Sequence, residues 1–135
     1  MYPFVRPDAV TQEVVIELSG VLAEFRSFDF TLSRLGWFGE EVLYLVPEPS
    51  DPFVQITAAV LGRHPEYPPY GGEHADVVPH LTVGHRDRGA LETAAAAIAT
   101  ALPIRAHAEE IWLLGTISGV GWERLGRFQL PGTRP

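Results

Sequence analysis

Apolar residues recur at helical spacing early in the chain. Val14, Leu18, Val21, Leu22 and Phe25 fall on one face, so residues 8–25 are predicted to form a helix, with Asp8 as its cap. The period then changes to two. Phe28, Phe30 and Leu32 alternate with Asp29, Thr31 and Ser33, the pattern of a strand with one buried face. Residues 35–40, with Gly36 and Gly39, are predicted to turn the chain into a short apolar strand over 42–46. Ser50, Asp51 and Pro52 open a second helix, with Phe53, Ile56, Val60 and Leu61 on its apolar face and an end near Arg63. Residues 64–78 carry three prolines and two glycines and are predicted to be a loop.

The same sequence of periods returns afterwards. A strand is predicted over 78–85, a helix over 89–102 with Leu91, Ala95, Ile98 and Leu102 inward, a strand over 104–114 and a last strand over 122–130. The first half reads helix, strand, strand. The second reads strand, helix, strand, strand. The two orders agree apart from a leading strand in the first half, whose end would fall at Tyr2-Pro3-Phe4.

Composition narrows the function. The chain has 135 residues, one domain by length, with no cysteine, which excludes disulfides, thiolate catalysis and cysteine-held metals. Seventeen acidic residues against ten basic ones give a net charge of −7, so duplex DNA is not an expected partner. There is no membrane-length apolar run and no signal peptide, so a cytoplasmic protein with no membrane partner is expected.

The chemistry concentrates in Pro79-His80-Leu81-Thr82-Val83-Gly84-His85. In a strand, side chains two apart share a face, so His80 and Thr82 are predicted to point one way and Leu81 and Val83 the other. An imidazole titrates near neutrality and can move a proton at phosphorus. A hydroxyl beside it can bond a non-bridging phosphate oxygen. Alone, a His-x-Thr tripeptide favours a strand with a half-buried structural histidine. His80 and His85 are five apart and are predicted on opposite faces, and His74 lies in the loop. No third ligand is spaced to complete a metal site, and no metal or other cofactor is expected. His107 is expected to be structural, and His64 to sit at a helix C-terminus. Gly115–Gly121 lacks the lysine and following helix of a phosphate-binding loop, so a hairpin-like loop is expected there. Arg86 and Arg88 are expected to be solvated.

The segment resembles the second motif of the 2H phosphoesterases, the 2′-5′ RNA ligase and cyclic phosphodiesterase family. Pro79-His80-Leu81-Thr82-Val83 matches that motif position by position, and the upstream run Tyr67-Pro68-Pro69-Tyr70-Gly71-Gly72 is similar to a bacterial branch of the family. The resemblance implies an α+β, bilobal fold of two pseudo-symmetric antiparallel-sheet lobes, here taken as approximately 1–63 and 78–135, each contributing one His-x-Thr. It implies metal-independent chemistry on 2′,3′-cyclic phosphates or 2′-5′ linkages, with histidines as acid and base and threonines as phosphate anchors. His80 and Thr82 are the catalytic candidates. Tyr70 and Trp122 are the candidates for substrate binding, although each alone reads more simply as packing.

The family's first motif runs into a Tyr-Pro-Phe segment, and Tyr2-Pro3-Phe4 fits it, so the first His-x-Thr and its strand would precede Met1. The expectation is a sequence short at its N-terminus. A degenerate member that binds without turnover, and a site completed by a second copy, are the competing explanations. Unpaired strand edges would favour a homodimer or an aggregation-prone monomer. The expected function is RNA-end or nucleotide phosphodiester processing. The alternative is a silent nucleotide- or RNA-end-binding module.

Overall fold

The computed structural model describes residues 10–65, 78–115 and 121–132. These form α1 (Gln12–Leu22), β1 (Phe28–Phe38), β2 (Val42–Glu48), α2 (Asp51–Arg63), β3 (Leu81–His85), α3 (Arg88–Ala99), β4 (Ile104–Ala108), β5 (Glu110–Gly115) and β6 (Glu123–Gln129). The class is α+β, as expected. Four strands make one sheet in the order β3-β2-β1-β4, and β5 and β6 make a second. Among the described residues, no helix is long and apolar enough to cross a membrane.

The chain divides into two compact units, and neither is a continuous half of the sequence. One takes in Met1–Phe28, Gln55–Val77 and Ala108–Pro135, the other Asp29–Val54 and Val78–His107. Each unit therefore draws on both halves of the repeat-like pattern.

In the first unit, Leu18 and Leu22 of α1, Ile56 and Val60 of α2 and Phe128 of β6 form the core. The cap of α1 differs from expectation. Thr11 is extended and its hydroxyl accepts the Val14 N–H at 3.3 Å, so the helix starts at Gln12. Asp8 lies outside the described residues. In the β5–β6 pair, Ile111 stands opposite Phe128 and Leu113 opposite Gly126, facing the core. Trp112 stands opposite Arg127 and Glu110 opposite Gln129, on the other face.

The predicted single strand over 104–114 is two strands in two different sheets, parted at Glu109. The Glu109 carbonyl turns away from the four-stranded ladder and accepts the Leu130 N–H at 2.8 Å. Continuous alternation hides such a switch, because both segments keep a partly buried face.

In the second unit, β1 and β2 pair antiparallel, with Leu35 opposite Leu45, Gly36 opposite Tyr44, Trp37 opposite Leu43 and Phe38 opposite Val42. Directly opposed residues share a face. Leu35, Trp37, Leu43, Leu45 and Pro47 therefore line one side of the sheet, and Leu43 is fully buried there. Helix α3 covers this side. Leu91 packs under Gly84, and the Arg88 guanidinium lies 3.8 Å from the centre of the Trp37 ring. Arg88 is thus a packing residue as well as an ion-pair partner of Glu92. Asp87 caps α3 by accepting the Ala90 N–H, which starts that helix at Arg88. The expected turn over 35–40 is instead mostly strand: β1 runs on to Phe38, and the reversal follows at Gly39, whose φ of +59° suits a residue without a β-carbon.

Candidate functional site

The opposite side of the four-stranded sheet carries the polar candidates. Phe38, Val42 and Tyr44 lie on it by register. Thr82 stands opposite Tyr44, which places its side chain on the same face. His80 sits just before β3, and its ring meets the rings of Phe38 and Tyr44 edge-on, with centroids 5.0 Å and 5.6 Å apart. Phe38 and Tyr44 are themselves stacked at 4.2 Å. The His80 ring is half-buried and rests against two aromatic rings on a sheet face, while Thr82 is exposed.

One ring nitrogen of His80 is committed. Its Nδ1 lies 2.6 Å from the Val78 carbonyl oxygen. A carbonyl oxygen only accepts, so Nδ1 carries the hydrogen and donates. In the neutral ring this leaves the lone pair on Nε2. The imidazole is thereby held in one tautomer and one orientation, the state required of a proton acceptor.

The sheet register departs from a regular ladder beside these residues. Leu43 pairs with Gly84 and Tyr44 pairs with Thr82, so Val83 is an extra residue in β3. The consequence overturns the expectation that His80 and His85 face opposite sides. His85 stands opposite Val42, which shares its face with Tyr44, so His85 lies on the face that bears Thr82 and His80. A bulge adds one to the count, and a spacing of five then behaves as an even one.

Residues 1–119 match the family model of the 2′-5′ RNA ligase superfamily. The chain belongs to that superfamily. No curated protein matches it. In this 2′-5′ RNA ligase superfamily member, His80 and Thr82 are neighbours on one face of the four-stranded sheet. Tyr70 lies outside the described residues. Trp122 belongs to the other unit and is 75% exposed, not packed against a neighbouring strand. His107 donates to or accepts from nothing in this site: its Nδ1 is 2.7 Å from Asp29 Oδ1, tying β4 to β1. His64 is buried after α2, with its backbone N–H bonded to the Val60 carbonyl, the helix-end position expected of it.

Sequence reasoning missed Tyr44 and Phe38 as the walls against His80. The signal was present, since the alternation through 42–46 sets Tyr44 apart from Leu43 and Leu45. It also missed a hollow of about 390 Å³ lined by Glu41, Val42, His85 and Arg86. Arg86 there adopts φ +80°, a left-handed conformation unusual for a residue with a side chain, and its N–H donates to the Glu41 carbonyl at 2.7 Å. Holding such a backbone costs on the order of 1–3 kcal/mol.

Proposed function

We propose that this protein is a metal-independent phosphodiesterase of the 2′-5′ RNA ligase type, acting on a 2′,3′-cyclic phosphate or a 2′-5′ linkage at an RNA or nucleotide end. The observation that carries the reading is the fixed tautomer of His80 beside the Thr82 face. Neutral His80 takes a proton at Nε2 from the attacking water or hydroxyl. The ribose oxygen that leaves on the opposite side, as its bond to phosphorus breaks, takes its proton from solvent. The Thr82 hydroxyl donates to a non-bridging oxygen, where negative charge builds in the transition state. The stacked Tyr44 and Phe38 rings hold the imidazole from behind. Tyr70 and Trp122 are proposed to contact the base or sugar, the exposed indole of Trp122 being free to stack.

The test is incubation of the purified chain with a 2′,3′-cyclic nucleotide beside His80→Ala and Thr82→Ala. Turnover that falls by about 10²–10⁴ in His80→Ala supports the reading. Turnover unchanged by that substitution removes it.

A second reading rests on a specific fact: the sequence contains one His-x-Thr, at 80–82. Proton transfer on both sides of a phosphodiester calls for two groups, and a binding module on the same fold needs only one. Nucleotide binding that depends on His80, without turnover, favours the module.

A further inference from the structure

We infer that the hollow beside the end of β3 is a second phosphate subsite, in which Arg86 and His85 hold the phosphate one nucleoside away from the phosphate at His80 and Thr82. The inference rests on the proposed phosphodiester site and names its substrate class: an oligonucleotide end, in preference to a free mononucleotide.

Three independent observations converge on it. The first is placement. The extra residue Val83 brings His85 onto the face that carries Thr82 and His80, so one edge strand presents both groups to the same ligand. Thr82 and His85 are three residues apart, at most roughly 10 Å along a strand at about 3.3 Å per residue, a span a nucleoside can bridge between its two phosphates. The second is the hollow itself, about 390 Å³ in volume and bounded by Glu41, Val42, His85 and Arg86. The third is strain. Arg86 is the only described residue other than glycine with a positive φ, and the Glu41 carbonyl fixes it there. Strained backbone at non-glycine residues is held by the structure around it and clusters at active sites and ligand clamps.

The charges fit the same ligand. The chain as a whole is strongly acidic, yet Arg86 lines this hollow, and among the described residues it forms no ion pair, even with Glu41 on the same hollow. A guanidinium left unpaired is available for the forked, charge-assisted contact that phosphate offers. Glu41 accepts hydrogen bonds from sugar hydroxyls or a base amino group, and repels a bare polyanion such as pyrophosphate. A phosphate attached to a nucleoside satisfies both groups, and inorganic phosphate satisfies one.

The experiment compares two probes: adenosine 2′-monophosphate, with one phosphate, and a 2′-5′-linked diadenylate bearing a 5′-phosphate, with two. Affinities are measured by calorimetry for the native chain, Arg86→Asn and His80→Ala. Asparagine tolerates the left-handed backbone, so Arg86→Asn is expected to keep the thermal stability of the native chain. The native chain is expected to bind the diadenylate more tightly. Arg86→Asn is expected to remove roughly tenfold or more of that advantage, the worth of one charge-assisted contact, and to leave the monophosphate affinity unchanged. His80→Ala is expected to weaken both probes. If Arg86→Asn leaves the ratio of affinities as it was, or weakens both probes equally, the subsite is overturned while the His80 site stands. If His80→Ala changes neither affinity, the His80 site fails first and the inference falls with it.

Discussion

The ring of Tyr44 lies across Gly36, where a β-carbon would stand 2.5 Å from Tyr44 Cζ and 2.7 Å from its hydroxyl oxygen. No real side chain tolerates that approach. Glycine at 36 is required by sterics and not by its backbone, since the position is a regular strand pair with Tyr44. The ring that occupies this space is the one that meets His80 edge-on, so a residue on β1 positions the proposed proton carrier on the far side of β2.

Gly36→Ala should therefore act at a distance. The Tyr44 ring must move off β1, and its contacts with Phe38 and His80 change with it. Overpacking of this kind costs about 1–3 kcal/mol, readable by urea denaturation. The His80 ring resonances should shift, and binding of a nucleotide at His80 should weaken. Native stability together with unmoved His80 resonances would show that the Tyr44 ring does not depend on Gly36.

Gly84→Ala makes the useful contrast. A β-carbon there meets Leu91 Cδ2 at 2.9 Å, on the face packed by α3. The obstacle is the far end of a flexible side chain, which can rotate. A loss of about 1 kcal/mol is expected, smaller than at Gly36, with His80 undisturbed because Gly84 faces away from it. A larger loss than that of Gly36→Ala would contradict the ranking.

The sequence was most legible where one physical rule acted alone. Ser50, Asp51 and Pro52 announced α2, and its end at Arg63 followed from the apolar spacing. Pairing of a histidine and a threonine on one face followed from the period of a strand. Legibility failed where two rules competed. Gly36 looked like a turn signal, and the structure uses its missing side chain inside a strand. Thr11 and Asp8 are both good cap residue types, and apolar spacing alone does not choose between them; the structure shows Thr11 as the cap. The extra residue at Val83 leaves no local mark in a run that alternates as regularly as His80 to Val83, yet it decides which way His85 points. The parting of β4 from β5 at Glu109 depends on a partner 21 residues later, Leu130, and no local pattern encodes it.

The choice of cap is itself testable. Thr11→Ala removes the oxygen that accepts the Val14 N–H and should cost about 1 kcal/mol, while Thr11→Asp should retain most of the stability because it restores an acceptor. Far-ultraviolet circular dichroism during thermal unfolding reads both. Equal stability of native and Thr11→Ala proteins would mean that the helix starts elsewhere.

Glu110 gives the clearest expectation for pH. Its carboxylate accepts from the Trp112 indole at 2.6 Å, from Arg127 at 2.6 Å and from Gln129 at 3.1 Å. Trp112 is the largest influence holding its pKa below the ordinary carboxylate value. Arg127 and Gln129 add to the lowering, and partial burial opposes it. These bonds form only in the folded hairpin, so the folded protein binds the proton less readily than the unfolded chain. Unfolding takes up protons in the range between the two values, and stability therefore rises with pH there. The contribution is complete above the ordinary carboxylate range and disappears as pH falls through the depressed value. Urea unfolding followed from about pH 7 down to about pH 2 should show this slope in the native chain and a flatter one in Glu110→Gln. Trp112→Phe should move the Glu110 titration upward, seen by carboxyl-carbon resonance, because the indole donor is gone while Arg127 remains. A Glu110 midpoint at or above the ordinary value in the native chain would mean that the indole bond does not persist in solution.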